Sequence, residues 1–147
     1  MNKIFLDTNV LLDALLPDRP STDASRKILA IGNEETRLCF SSLSVANLVY
    51  VLQKNVDKER AVDIVGVLFK KYYVLPVIDM DIYNALRSAC PDFEDAMQMS
   101  CADFGNCDCI ITNNIRHFRG YATLPVYTPE EFLDGICAAR SGLSGTE

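Results

Sequence analysis

Carboxylate and amide side chains follow short apolar segments at several points in the sequence, where they could share one site. Asp7 comes directly after the first apolar segment, Asn47 lies in the stretch after the second, and Asn114 follows a later one. Asp95 stands in an acidic segment that opens the stretch before Asn114. Clustered carboxylates raise one another's cost of ionisation, and a bound cation is the usual relief. With oxygen ligands, Mg²⁺ or Mn²⁺ is the expected ion, and it would activate a water and neutralise a phosphodiester, as in many nucleases.

Each of these residues also has a purely structural explanation. Asp7 could cap the helix that follows it. Glu94 and Asp95 could stand in a first helical turn, because the helix dipole favours acids there. Asn47 could belong to a helix cap and Asn114 to a turn. Capping explains each residue singly better than a ligand role does, but it does not require them to gather at one edge of the fold.

Short β-rich segments alternate with longer helical ones along the chain. The β-rich segments are residues 4–6, 38–40, 73–75, 109–112 and 125–127. This alternation predicts an α/β fold with a mainly parallel five-stranded sheet, helices on both faces and right-handed crossovers. In open parallel sheets, ligands bind beyond the carboxyl ends of the strands. We therefore expect the polar residues named above to converge at that edge.

Capping residues and apolar spacing predict the helices. The predicted helices cover residues 10–16, 22–31, 45–54, 58–71 and 80–89, a stretch that begins at about residue 92, and a last helix after residue 128. Ser44, Asp57 and Asp79 are the predicted N-terminal caps of three of them. Pro129 suits the first position of the last helix, since that position needs no backbone donor.

Length and composition predict one globular domain. The chain has 147 residues, of which 49% are hydrophobic, and we expect a domain over residues 1–140 and a tail without ordered structure at 141–147. A net charge of −6 excludes a global positive field that would attract long duplexes. Any nucleic-acid contact must be local, and Arg116 and Arg119 are the candidate phosphate-binding residues, with a solvated loop as the alternative interpretation.

The start of the sequence and its cysteines indicate a cytoplasmic protein. The chain turns acidic at Asp7, too early for a secretory signal sequence, and no apolar run approaches the ~20 residues of a membrane span. The six cysteines are therefore expected to be reduced. A zinc site of Cys101, Cys107, Cys109 and His117 is disfavoured, because Cys107 and Cys109 do not form a Cys-x-x-Cys knuckle.

Four motifs and an ending of this sequence resemble those of PIN domains, the fold of VapC-like toxin ribonucleases. The segments that carry the resemblance are 5–12 (FLDTNVLL), 41–48 (SSLSVANL), 93–98 (FEDAMQ), 108–118 (DCIITNNIRHF) and 126–132 (VYTPEEF). They occur in order and at normal spacing, so the resemblance covers residues 1 to about 134. It implies a three-layer α/β sandwich that carries a metal-dependent ribonuclease site.

The resemblance assigns roles to particular residues. Carried over by position, Asp7 is the first metal-binding acid and Asp95 the third, and both are expected to be catalytic. Most of the family has acids where this chain has Asn47 and Asn114, a pattern that we associate with one branch of the family. With two charges fewer, one hydrated ion is more plausible than a pair of metals.

Neighbouring polar residues complete the predicted site. Glu94 is the nearest substitute for the missing acids and a further catalytic candidate, and Asp92 is the next nearest. Thr8 and Asn9 could orient Asp7 or a water on the metal, although Thr8 could equally close the turn.

Three functional hypotheses follow. The first is a Mg²⁺-dependent endoribonuclease acting on single-stranded or structured RNA, and the resemblance implies that it could be a toxin with a small antitoxin protein as partner. The second is a PIN-fold module that binds nucleic acid or protein with little catalysis, because two acids are missing. Metal-dependent RNA cleavage would separate these two. The third, a receiver-like or phosphohydrolase domain, is disfavoured because no second acid stands two residues after Asp7.

A homodimer is also expected. PIN domains commonly pair, and the predicted middle helices hold more apolar residues than one helix face can bury. These residues are Leu48, Val49, Val51, Leu52, Val65, Val67 and Leu68. Pairing would place two acidic sites along one groove.

Overall fold

The computed structural model describes the backbone of residues 2–144 and the side chains of residues 2–136. The strands are β1 (Asn2–Leu6), β2 (Thr36–Ser41), β3 (Tyr73–Leu75), β4 (Cys109–Ile111) and β5 (Val126–Tyr127). The helices are α1 (Thr8–Leu15), α2 (Thr22–Ala30), α3 (Ser42–Leu52), α4 (Lys58–Lys71), α5 (Asp79–Leu86), α6 (Phe93–Phe104), α7 (Ile115–Phe118) and α8 (Pro129–Ser144). All five strands form one parallel sheet in the order β3-β2-β1-β4-β5. The predicted α/β fold with a five-stranded, mainly parallel sheet is confirmed.

The sheet separates two apolar layers, because successive residues of a strand face opposite sides. Phe5 of β1, Cys39 of β2 and Ile110 of β4 pack with residues of α6 and α7. Their neighbours in the same strands, among them Ile4, Leu6, Leu38, Phe40 and Ile111, pack on the other face with residues of α1 to α4 and α8. Strands that are buried on both faces appear in the sequence as continuous apolar runs, which is why they could be recognised there.

Local capping explains the starts of α3 and α4, with one correction. Asp57 caps α4, whose bounds are as predicted, and accepts a 2.8 Å hydrogen bond from the N–H of Arg60. The prediction that Ser44 caps a helix from residue 45 is wrong, because α3 begins three residues earlier and Ser41 is its cap. The hydroxyl of Ser44 instead lies in a buried polar network with side chains of other helices.

Other features of the helices also differ from the prediction. Asp79 is the first residue of α5 and not its cap, since the carboxylate of Asp81 accepts the hydrogen bond from the N–H before the helix. The short helix α7 was not predicted. Helix α8 extends through residues 141–144 of the predicted tail, and residues 145–147 lie outside the described part of the chain. None of the helices described is long and apolar enough to cross a membrane.

The strand order places a crossover point between β1 and β4. From β1 the chain proceeds to β2 and β3 on one side of the sheet, whereas β4 and β5 lie on the other side. In α/β sheets, the crevice beyond such a point is the usual ligand site. Receiver domains have the order 2-1-3-4-5, so the topology gives no support to the receiver-like alternative.

Candidate metal centre

Asp7 lies at the crossover point directly after β1, and it is only 3% exposed. Its Oδ1 accepts a 2.8 Å hydrogen bond from the N–H of Thr8 and so caps α1. Its Oδ2 accepts a 2.8 Å hydrogen bond from the hydroxyl of Thr112, the residue after β4. The same carboxylate lines a cleft. The capping explanation and the ligand explanation of Asp7 are therefore compatible.

The surroundings of Asp7 make its ionised form costly. Its pKa is raised from 3.8 to about 7, mainly by burial and also by the nearby charges of Asp95 and Glu94. The hydrogen bonds from Thr112 and Thr8 oppose this rise. A cation bound beside the carboxylate would supply the compensation that the protein itself does not provide.

Asp95 lies in the first turn of α6 and is also buried. Its N–H donates to Asp92, the cap of that helix, at 2.9 Å. Its Oδ2 accepts a hydrogen bond from Asn114 Nδ2 at 3.1 Å and lies 2.8 Å from His117 Nδ1. Burial raises the pKa of Asp95 and the charge of Asp92 adds to the rise, whereas the contacts with His117 and Asn114 oppose it.

The Nδ1 atom of His117 lies within hydrogen-bond distance of two groups of the site. Asn114 Nδ2 lies 2.7 Å from His117 Nδ1, and both nitrogens are within hydrogen-bond distance of the same Asp95 oxygen. In the tautomer with a proton on Nδ1, that nitrogen donates to Asp95, and in the other tautomer it accepts from Asn114. Oδ2 of Asp95 therefore accepts from Asn114, and also from His117 in the tautomer with a proton on Nδ1. Its Oδ1 has no hydrogen-bond donor among the described residues.

Asn47 and Asn114 each donate to a carboxylate of α6. Asn47 Nδ2 lies 2.6 Å from Oε1 of Glu94, and Asn114 Nδ2 bonds Asp95 as described above. Burial raises the pKa of Glu94, as do the charges of Asp92 and Asp95, and the bond from Asn47 lowers it. Asn47 and Asn114 therefore lie at the predicted site. In the structure, they offset part of the negative charge of the acids.

A cleft of about 300 Å³ opens beside these carboxylates. Its polar lining consists of Asp7, Thr8, Asn9, Asn47, Asp92, Glu94, Asp95 and Asn114, and its apolar lining of Leu12, Tyr50 and Val51. The structure thus brings together seven of the nine predicted site residues. No lysine or arginine is found among these lining residues. Four carboxylates that face one cleft without a basic side chain form a donor set that fits a divalent cation.

His117 belongs to this site, although it is not among the predicted site residues. Ligand atoms of Asp92, Asp95 and His117 lie within 4.8 Å of one another and could hold a metal ion. The available signal was spacing, since His117 stands three residues after Asn114, and residues three apart lie on one side of a helical turn. Without knowledge of α7, that signal could not be used.

The two arginines predicted to bind phosphate do not line the cleft. Arg119 Nη2 donates to the carbonyl of Val126 at 2.9 Å and to Glu131 at 2.7 Å. Arg119 would have to leave both acceptors before it could bind phosphate. Arg116 is exposed on α7, and its contact with phosphate stays a prediction.

Comparison with known proteins places these residues in a recognised fold. Residues 3–116 match the PIN domain family. The DNA-bound VapBC structure from Salmonella typhimurium is similar at 20% identity and a TM-score of 0.67, over 88% of this chain and 99% of the other. The structure of VapBC-1 from nontypeable Haemophilus influenzae is similar at 17% identity and a TM-score of 0.68, over 87% of this chain and 98% of the other. The structure of VapC20 from Mycobacterium tuberculosis is similar at 13% identity and a TM-score of 0.64, over 83% of this chain and 98% of the other. No curated protein matches the chain.

The family match and the fold agree with the motifs of the sequence. The matched residues include Asp7, Asn47, Asp95 and Asn114, which come together around one cleft. The match spans most of the chain, and the structural similarity extends over a still larger part of it. The chain belongs to the PIN domain family.

Proposed function

We propose that this protein is a metal-dependent endoribonuclease whose metal is bound by Asp7 and Asp95. The observation that supports the proposal best is the cleft at the crossover point, where four carboxylates gather without a basic side chain among the lining residues. The raised pKa values of Asp7, Glu94 and Asp95 also support it, since they arise from burial and mutual repulsion that a cation would relieve. Mg²⁺ or Mn²⁺ is the proposed ion, because the carboxylates are hard oxygen donors.

The roles of the protein groups follow from their hydrogen bonds. Thr112 and the start of α1 hold the Asp7 carboxylate at the end of β1. His117 and Asn114 bind one oxygen of Asp95 and leave the other for a ligand. A bound divalent cation would lower the pKa of a coordinated water and neutralise charge on the scissile phosphate. Glu94 is the nearest further acid at the cleft.

One ion, rather than two, is the proposed occupancy. Two divalent cations ~3.5–4 Å apart need several carboxylates between and around them. Asn47 and Asn114 contribute amide groups to the cleft, and both amides already donate to Glu94 or Asp95. A single hydrated ion requires less negative charge and fits this donor set better.

RNA, single-stranded or locally structured, is the proposed substrate. The similar VapC20 is described as a Sarcin-Ricin loop cleaving toxin. At the cleft of this chain, Tyr50 is 66% exposed, and Lys54 Nζ lies 4.8 Å from the centre of its ring. An exposed aromatic ring beside a positive charge can stack on a base and attract the adjacent phosphate.

Purified protein is expected to cleave a fluorescently labelled single-stranded RNA when Mg²⁺ or Mn²⁺ is present and not when the metal is chelated. Asp95→Asn should reduce the cleavage rate at least about 100-fold, because it removes a charge from the metal centre. Asp63→Asn is the matched control, since Asp63 is an exposed acid on α4 and its loss should leave the rate unchanged. Cleavage that survives Asp95→Asn would contradict the proposed site.

A PIN-fold module that binds nucleic acid or protein with little catalysis is the second candidate. It is favoured by Asn47 and Asn114, which stand where most PIN domains have acids. The same assay separates the candidates, because RNA binding without metal-dependent cleavage would support the binding module and contradict the nuclease.

A small antitoxin protein is the proposed partner. The similar Salmonella and Haemophilus structures are of VapBC, and a similar structure from Klebsiella pneumoniae is described as a toxin-antitoxin complex. A toxin that cleaves RNA needs such a partner to restrain it, and an acidic cleft without lysine or arginine in its lining is suited to a basic side chain of the partner.

The protein is expected to form a homodimer, but through a different surface from the apolar residues of the middle helices that the sequence suggested. Of the seven residues, Leu48, Leu52, Val65 and Leu68 are buried in the core of one chain and cannot pair with a second copy, whereas Val67 is 62% exposed. Leu86, at 71% exposure, and its neighbours Ile82 and Tyr83 form an exposed apolar face on α5. Sedimentation should show a dimer, and Leu86→Asp should convert it to a monomer. Met80→Asp, at another exposed residue of α5, should shift the dimer less toward the monomer. A concentration-independent monomer would contradict this prediction.

A further inference from the structure

Gln98 is a fully buried amide at the centre of a polar network beneath the cleft. It lies on α6, one turn after Asp95, and none of its surface is exposed. Burial of a polar side chain is unfavourable unless its donors and acceptors are all bonded. Each polar atom of Gln98 has such a partner, and the partners lie on other elements of the fold.

The network joins three helices through four side chains. Gln98 Nε2 donates to Oγ1 of Thr8 at 3.0 Å and to Oγ of Ser44 at 3.1 Å, and its Oε1 accepts from the hydroxyl of Ser41 at 2.5 Å. Thr8 and Ser44 are also bonded to each other, with 2.7 Å between their oxygens. Thr8 begins α1, Ser41 is the cap of α3, Ser44 lies in the first turn of α3, and Gln98 belongs to α6.

The chemistry of the amide explains why a glutamine suits this position. In the 2.7 Å contact between the hydroxyls of Thr8 and Ser44, one hydroxyl donates and the other accepts, and each oxygen keeps a lone pair that can accept from a further donor. Two N–H donors from one Nε2 satisfy both oxygens at once, and the remaining amide oxygen receives Ser41. A carboxylate or an apolar side chain of the same shape could not supply those two protons.

The network matters because α6 has few other contacts with the helices that carry the rest of the site. It packs mainly against α5 and less against α7, β2 and β4, and its contacts with α1 and α3 are sparse. Yet Asp95 is on α6, and Asp7 is held by the N–H of Thr8 at the start of α1. The bonds of Gln98 therefore connect α6 directly to the start of α1, and the separation of the two carboxylates depends on them as well as on the bonds of Thr112 and Asn114.

We propose that Gln98 is a positioning residue that sets the separation of Asp7 and Asp95 and thereby the affinity of the site for its metal. This inference rests on the proposed function, since it assumes that the two acids bind one ion together. Removal of a group that hydrogen-bonds and orients a metal ligand, without binding the metal, typically lowers the metal affinity about 10–100-fold. Gln98 is not among the residues that line the cleft, and it acts through Thr8 and through its own helix.

The test is Mn²⁺ binding by isothermal titration calorimetry on the full chain. Gln98→Met keeps the size of the side chain and removes its hydrogen bonds, and it should raise the Kd for Mn²⁺ at least about 10-fold. Val65→Ala is the control, because Val65 is a buried core residue of α4 on the other face of the sheet. Both variants should lower the melting temperature, but Val65→Ala should leave the Kd unchanged.

A milder variant covers the case in which Gln98→Met does not fold. Ser44→Ala removes one acceptor of Gln98 and the partner of Thr8, and it should weaken Mn²⁺ binding in the same direction by a smaller factor. If Gln98→Met folds and its Kd for Mn²⁺ lies within twofold of the parent value, the inference is overturned. If Gln98→Met does not fold, the same result in Ser44→Ala overturns it. An equal increase of the Kd in Val65→Ala would also overturn it. If the parent shows no Mn²⁺ binding that depends on Asp7, the proposed metal site is itself wrong.

Discussion

The variant Asp7→Asn is expected to melt at a higher temperature than the parent at pH 8 without metal, and to lose both metal binding and cleavage. Asp7 is buried among acids, and its pKa is raised to about 7, so at pH 8 the folded protein carries a charge that its surroundings disfavour. Asparagine removes that charge and keeps the hydrogen bonds. Its Oδ1 can still accept from the N–H of Thr8, and its Nδ2 can donate to the hydroxyl of Thr112.

The pH dependence gives this prediction its sign. In the unfolded chain, Asp7 loses its proton near its ordinary pKa of 3.8, whereas in the folded protein it keeps the proton up to about pH 7. Between these values the folded state binds more protons, so stability falls as the pH rises and the loss is complete above pH 7. The difference between the two pKa values corresponds to at most about 4 kcal/mol. Asp7→Asn should lack this part of the decline.

Thermal denaturation from pH 4 to pH 8, in EDTA and in MnCl₂, would measure the effect. Asp13→Asn is the matched control, since Asp13 is a buried acid on α1 that is paired with Arg19 at 3.0 Å and bonded by Asn113. Its replacement should lower the melting temperature and leave the Mn²⁺-induced rise intact. A parent-sized Mn²⁺ shift in Asp7→Asn, or a melting temperature below that of the parent at pH 8, would show that the site is misplaced.

The sheet could be predicted from the sequence because its strands are buried on both faces. Ile4 and Leu6 pack on one side and Phe5 on the other, so the strand has no polar position to interrupt it. The carboxyl edge then followed from the parallel arrangement. Asp7 and Asp95 could be predicted to lie together, because Asp7 directly follows β1 and Asp95 stands at the start of α6, the helix that leads into β4 and so begins at the same edge.

Ser44 shows where local rules fail. Its position before an apolar helical stretch made it a reasonable cap, yet Ser41 caps α3, and Ser44 bonds Gln98, which is 54 residues away in the sequence. A local hydrogen bond and a distant one compete for the same hydroxyl, and the sequence pattern describes only the local one.

His117 was missed for a related reason. Its contact with Asp95 depends on α7, a helix of four residues that is too short to have apolar periodicity. Arg119 illustrates the same limit, because its partner Glu131 lies beyond β5 on α8. Side chains on short connecting segments are placed by tertiary contacts, and spacing along the chain does not reveal them.

The double variant Asn47→Glu/Asn114→Asp is expected to be less stable than the parent without metal and to gain more stability from Mn²⁺. In the parent, Asn47 donates to Glu94 and Asn114 donates to Asp95. Each replacement exchanges a hydrogen-bond donor for a negative charge beside an acid whose pKa is already raised. Without metal, the carboxylates repel one another, so the stability of the double variant should fall as the pH rises through their pKa values.

Mn²⁺ should reverse that loss, because a ligand stabilises the folded state according to its concentration relative to Kd, and two more carboxylates lower the Kd. Asn113→Asp is the matched control for Asn114→Asp. Asn113 is the adjacent residue, but its amide donates to Asp13 and it does not line the cleft. Asn113→Asp should therefore lose stability without a larger Mn²⁺-induced rise in melting temperature, whereas Asn114→Asp should show both effects.

Cleavage need not increase with affinity, since tighter binding of the ground state does not by itself stabilise the transition state. Equal Mn²⁺ shifts in the parent and the double variant would mean that the two asparagines act as donors to Glu94 and Asp95 without adjoining the ion.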